Sequence, residues 1–241
     1  MTDALLSLAG VHTHIGHYHI LQGVDLAVRR GELTMLLGRN GAGKTTTLRT
    51  ILGLWRASAG AIRFDGVNIA KYETPAIANL GIAYVPESMG IFAGLTVREN
   101  LLLAARHNPP DQQRLDWIFR FFPAMKKFWQ LPAGRLSGGQ KQMLSISRAI
   151  VEPRKLVLID EPTKGLAPAI INDLIEAFAE LKKTGTTILM VEQNFHAAKS
   201  LGDVAAVMDA GRIVHSGRMS DLAADVSLQT RLLGLSLEAH Q

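Results

Sequence analysis

Cysteine is absent from the 241-residue chain. That excludes disulfides and thiolate metal sites, and it fits a reducing compartment without requiring one. No apolar run approaches the ~18–20 residues that a spanning helix needs. Met1-Thr2-Asp3 lacks the basic stretch that opens a secretory signal. On these grounds the chain is expected to be soluble by itself. Internal repeats and low-complexity tracts are missing as well. Long basic tracts are missing too, although the net charge is +5 and the pI about 9.6. The cations occur as scattered short pairs, Arg29-Arg30, Lys126-Lys127 and Lys182-Lys183, which reads as solvated surface rather than a nucleic-acid face. What remains is a chain with 47% hydrophobic residues, enough for a core. Its length suits one domain of generous size with room for an inserted lobe.

The most informative stretch is Gly38-Arg39-Asn40-Gly41-Ala42-Gly43-Lys44-Thr45-Thr46. It follows the apolar run Leu33–Leu37 and precedes a helical pattern at Thr47–Leu52, the strand–loop–helix context of a phosphate-binding P-loop. Its glycines free the backbone to aim several N–H groups at one centre, and the helix N-terminus adds partial positive charge there. Lys44 is expected to reach the β- and γ-phosphates and Thr45 to hold Mg²⁺. Leu156–Ile159 reads as a parallel strand buried on both faces and ends in Asp160-Glu161. Asp160 is expected at Mg²⁺ and Glu161 as the general base that polarises a water. A nucleoside triphosphate site follows from the two motifs together.

Other segments add candidates. Gly81–Val85 reads as a buried strand delivering Glu87 towards the phosphates, with a surface carboxylate as the alternative. Thr187–Val191 is a further buried strand, and Gln193 beyond it could reach the γ-phosphate. Leu136-Ser137-Gly138-Gly139-Gln140 opens an amphipathic helix, with Ser137 as N-cap and two glycine amides exposed beside it, a second anion site. Thr96–Glu99 is a capping box for a helix at 100–107, and Leu115, Ile118, Phe119 and Phe122 have the spacing of a lobe core. Asp65-Gly66 marks a hairpin between Ala61–Phe64 and Val67–Ile69, and Asp209–Gly211 marks another; the tail from Leu222 looks helical. His12, His14, His17 and His19 lack acidic or cysteine companions, so stacking on the nucleotide base is preferred to a metal site.

These residues resemble an ABC-type ATPase, the nucleotide-binding subunit of ATP-binding-cassette transporters, over essentially the whole chain. The resemblance rests on the P-loop, the signature Leu136–Gln140, and Leu156–Ile159 with Asp160 and Glu161. It implies an α/β fold: a RecA-like P-loop core with an antiparallel β part and an inserted α-helical subdomain. The core would span about 1–87 and 153–241, and the signature-bearing lobe about 88–152, within a single domain. Val85-Pro86-Glu87, Gly165-Leu166-Ala167-Pro168 and Val191-Glu192-Gln193-Asn194 are similar to the smaller ATPase subunit of branched-chain (hydrophobic) amino-acid importers. Related urea and amide importers share much of this pattern. Gln193 replaces the usual switch histidine. Ile15 stands where an aromatic residue normally stacks on adenine, with Tyr18 or a neighbouring histidine as a substitute.

The resemblance further implies ATP and Mg²⁺, held by Gly38 to Thr46, Ile15, Ser137, Gly138, Gly139 and Gln140, with Thr45, Glu87 and Asp160 at the metal. Lys44, Glu161 and Gln193 would be catalytic. Two ATPase subunits, identical or sisters, would close head to tail, so that Ser137, Gly138 and Gly139 of one face Lys44 and Thr45 of the other. Met89 to Leu95 would form the groove for a membrane permease subunit. A periplasmic binding protein would be an indirect partner, and the cytoplasmic face of the bacterial inner membrane the location. A soluble ABC-type ATPase of ribosomes or DNA usually carries two cassettes or a long coiled coil, and this chain has neither. A regulatory module that barely hydrolyses is at odds with an intact Glu161.

Overall fold

The computed structural model describes residues 4–105 and 110–234, so the expected end of the first lobe helix at 106–107 and the last part of the tail lie outside the described residues. The strands are β1 (Ala4–Ile15), β2 (Tyr18–Arg29), β3 (Leu33–Leu37), β4 (Ala57–Phe64), β5 (Val67–Asn68), β6 (Ile82–Val85), β7 (Leu156–Asp160), β8 (Thr187–Val191), β9 (Val204–Asp209) and β10 (Arg212–Arg218). The helices are α1 (Lys44–Ile51), α2 (Thr74–Asn79), α3 (Val97–Ala104), α4 (Gln112–Phe121), α5 (Pro123–Lys127), α6 (Gly138–Ile150), α7 (Pro168–Lys183), α8 (Phe195–Leu201), α9 (Met219–Ala224) and α10 (Val226–Leu233).

Two sheets form. One is antiparallel, in the order β2-β1-β4-β5, and the other runs β10-β9-β3-β8-β7-β6, parallel apart from the β9–β10 hairpin. The continuous apolar runs of β3, β7 and β8 have a physical explanation in the cores on either side of them. Met35, Val157, Ile159, Ile188 and Met190 enter one core with the helices, whereas Leu36, Leu158, Leu189 and Val191 enter the other, against the antiparallel sheet. Successive side chains point to opposite faces, and both faces are covered, so no polar alternation survives.

The local signals act as their chemistry dictates. Thr96 and Glu99 make the reciprocal capping box of α3. Leu115, Ile118 and Phe122 are buried, and Phe119 packs against them. Asp65 and Gly66 both take positive φ, 51° and 81°, as a two-residue hairpin turn requires. The helices α3 to α6 fall within the 88–152 stretch and share their core with β3, β7 and β8. Among the described residues no helix is long and apolar enough to cross a membrane.

Candidate nucleotide site

Segments that follow the carboxyl ends of β3, β6 and β7 line one cavity of about 320 Å³, and the segment after β8 lines a smaller one beside the P-loop residue Arg39. Strand ends are where an α/β sheet leaves room for a ligand, because the chain turns away into helices on either face. The loop after β3 contributes Asn40, Gly41, Gly43, Lys44, Thr45 and Thr46 to the lining. Glu87 comes from beyond β6, Glu161 and Lys164 from beyond β7, and Ile20 from β2.

The loop wraps its own lysine. Lys44 Nζ donates to the carbonyls of Gly38 at 2.8 Å and Arg39 at 3.0 Å, with the side chain only 4% exposed. Burial pulls the Lys44 pKa down, opposed by the carboxylates of Glu161 and Asp160. Gly38 is irreplaceable here: its φ is 143°, and a Cβ would lie 2.2 Å from the Met208 carbonyl oxygen. Ala42 is buried behind the loop, and Arg39 lines a smaller neighbouring cavity with Gln193.

Asp160 is fully buried, and its carboxylate accepts from Thr45 Oγ1 at 3.0 Å and Tyr84 OH at 3.2 Å. Burial pushes the Asp160 pKa up, while those two hydroxyls pull it back. The Tyr84 phenol is itself pushed up to about 12, by burial first and the Asp160 charge second, so it remains a donor. Thr45 and Asp160 thus offer oxygen donors side by side.

Glu161 adopts φ 48°, a conformation rare for a residue with a side chain, and its N–H donates to Val191 O at 2.9 Å. Its Oε1 accepts from Gln193 Nε2 at 2.5 Å and lies 3.9 Å from Lys44 Nζ. The same Gln193 amide donates to Asn40 Oδ1 at 2.7 Å, tying the switch position to the P-loop. Glu192 holds this arrangement from behind. Its buried carboxylate accepts backbone N–H bonds from Thr163 at 3.1 Å, Gln193 at 2.9 Å and Asn194 at 3.1 Å, and burial raises its pKa against those bonds. Lys164 Nζ contacts Glu87 Oε1 at 2.6 Å and Glu161 Oε2 at 3.5 Å.

Lys44, Thr45, Asp160, Glu161, Glu87 and Gln193 are therefore brought together, and Thr46 and Asn40 with them. Ser137–Gln140 are not. Ser137 is the N-cap of α6 and forms a capping box with Gln140, its Oγ accepting from Gln140 N at 3.3 Å. Gly139 permits close approach to α7, since a Cβ would meet Ile170 at 2.8 Å. Among the described residues no hydrogen bond joins this segment to the P-loop.

The residues expected at the base lie on or beside the β1–β2 hairpin. Ile15 pairs with Tyr18 at the tip of the β1–β2 hairpin, outside the lining of this cavity, whereas Ile20, at the register shift between the Thr13–Leu21 and His14–His19 pairs, lines it. The histidines do not line it either. His12 Nδ1 lies 2.9 Å from His19 Nε2, the His14 and His19 rings stack at 4.2 Å, and His14 meets Ser58 Oγ at 3.1 Å. Among the described residues no group of three or more acidic or imidazole side chains is arranged to hold a metal ion. Sequence reasoning missed Tyr84, Lys164, Ile20 and the supporting role of Glu192.

Comparison with known proteins agrees with this site. The sequence model of the ABC transporter family matches residues 21–164. The chain is 38% identical over 232 residues to the high-affinity branched-chain amino acid transport ATP-binding protein BraG of Pseudomonas aeruginosa, covering 95% of this chain and 100% of BraG. It is 33% identical over 220 residues to the probable branched-chain amino acid transport ATP-binding protein LivF of Archaeoglobus fulgidus, covering 90% and 93% of the two. A solved ATP-binding cassette of an ABC transporter in its ADP conformation superposes with a TM-score of 0.80 at 27% identity, covering 94% and 97%. A strand-borne P-loop, a buried acidic strand end beside it and a match across most of the sequence lead to one conclusion: the chain belongs to the ABC transporter family, as an ATP-binding, ATP-hydrolysing subunit.

Proposed function

We propose that this chain energises an importer of branched-chain or other hydrophobic amino acids by hydrolysing ATP, working peripherally on the cytoplasmic face of a bacterial inner membrane. The observation that carries the hydrolytic part is that Lys44, Thr45 and Glu161 line one cavity, with Asp160 bonded to Thr45 and Gln193 bonded to Glu161. The likeness to BraG and LivF, both described as branched-chain amino acid transport proteins, supports the cargo.

Mg²⁺ fits the donor set. Thr45 Oγ1 and Asp160 Oδ1 are hard oxygen donors 3.0 Å apart, and Glu87 lines the same cavity. A small cation that keeps several waters needs only one or two such protein ligands beside phosphate oxygens. When bound it would neutralise charge on the phosphates.

The remaining chemistry belongs to the chain. Lys44 and the loop amides bind the phosphate oxygens, and the carboxylate of Glu161 takes a proton from the attacking water. The new P–O bond forms as the bond to the ADP oxygen breaks, giving ADP and inorganic phosphate. Gln193 holds Glu161 in line and offers the γ-phosphate a neutral donor. Charge developing on the transferred group is stabilised by fixed donors, which is where most of the rate enhancement arises in such reactions.

Ser137 and the Gly138 and Gly139 amides, with no hydrogen bond to the P-loop of their own chain among the described residues, are taken to complete the site of a second ATPase subunit. Hydrolysis is then tied to closure of the pair. A cavity of about 370 Å³ beyond Glu87, lined by Met89 and Gly90 with Arg148 at its edge, supports a permease-docking groove. Phosphate release by purified chain with Mg-ATP tests the hydrolytic reading. Turnover is expected to vanish in Glu161→Gln and Lys44→Met; survival in either variant would overturn it.

A further inference from the structure

Lys164 is the cation of the site that neither motif nor family resemblance pointed out. Half-exposed lysines are ordinarily solvated and contribute little. This one is constrained on both sides. Its backbone N–H donates to the Glu161 carbonyl at 3.2 Å, closing a turn that begins at the strained Glu161. The preceding Thr163 is pinned by Glu192. The turn therefore returns the Lys164 side chain towards the carboxylate three residues back. From there its ammonium reaches Glu161 Oε2 at 3.5 Å and Glu87 Oε1 at 2.6 Å. Lys44 addresses the other oxygen, Oε1, of Glu161.

We infer that Lys164 is a positioning residue that bridges Glu87 to Glu161, holding Glu87 away from the metal-bearing phosphates until nucleotide arrives and holding the general base in line. The inference rests on the proposed roles of those two carboxylates. An opposite charge at hydrogen-bond distance stabilises each carboxylate where it stands. Glu87 cannot give its Oε1 to Lys164 and to a metal ion at once, so the ammonium competes with the cation for it. When Glu87 turns to the metal, Lys164 keeps only Glu161. Because Glu87 leads into the segment 89–95, displacement there also changes how Lys164 is shared.

Substitution at Lys164 should therefore move two quantities in opposite senses. In Lys164→Met, Mg²⁺ binds the complex with a non-hydrolysable ATP analogue about three- to five-fold more tightly, read by calorimetry, because an exposed ion pair is of that strength. At saturating Mg²⁺, kcat falls about five-fold while KM for ATP changes less than about two-fold. Lys164→Arg restores both. In a Glu87→Gln background the gain in Mg²⁺ affinity disappears. Unchanged or weaker Mg²⁺ binding, unchanged kcat, or a gain that persists without Glu87 would overturn the inference. The calorimetric arm needs no turnover. Failure of Glu161→Gln to abolish hydrolysis would count against the proposed hydrolase instead.

Discussion

The Tyr84 hydroxyl gives a sharp test of the buried acidic centre. Removing it in Tyr84→Phe leaves the Asp160 carboxylate with Thr45 as its remaining side-chain donor. A hydrogen bond to a charged acceptor contributes about 1.5–3 kcal/mol, and the 3.2 Å length argues for the low end. Burial already places the folded pKa of Asp160 above its unfolded value. Such a group favours folding in acid, and that contribution is lost as pH rises through the folded pKa. Losing the phenol removes a bond that holds the value down and so raises it further. The penalty of Tyr84→Phe is thus largest where Asp160 is charged. Urea unfolding at about pH 8 should show a loss of ~1.5 kcal/mol that is smaller at an acid pH where Asp160 is protonated in the folded protein. An equal penalty at both, or none at the higher pH, would refute the claim that Tyr84 acts through the Asp160 charge.

Three further outcomes follow from the geometry. Ser137→Ala removes the α6 cap and should cost ~1 kcal/mol of stability, yet leave ATP binding by the isolated chain unchanged while turnover falls at least about ten-fold; weakened binding measured by fluorescence titration would oppose the trans role. Gln193→His should introduce an inflection near pH ~6.5 into the rate profile, since imidazole titrates there and an amide does not; an identical profile would be contrary. Gly38→Ala forces a side chain into the Met208 carbonyl and should abolish nucleotide binding and lower the melting temperature; normal binding would show that the loop can relax.

Much of the site was legible because its parts lie at ends of regular elements. The runs Leu33–Leu37 and Leu156–Ile159 are strands for the reason expected, burial on both faces, and their carboxyl ends carry Lys44, Thr45, Asp160 and Glu161 as read. What was not legible depends on contacts across the chain. Lys164 meets Glu87 from 77 residues away, and nothing in a turn's composition announces that partner. Tyr84 read only as a buried strand residue, since periodicity does not show where a phenolic hydroxyl ends. Ile20 lines the cavity at a register shift between β1 and β2, which a strand pattern cannot reveal. The signature was legible as a capped helix start because its cap and capping box are local.

The most direct test of a site completed by a second subunit is Mg-ATP turnover per chain against protein concentration, with light scattering to report association. Specific activity should rise with protein concentration and fall away in monomeric samples, or appear only when a sister ATPase or permease is added. Constant specific activity down to concentrations where scattering shows only monomer would contradict it.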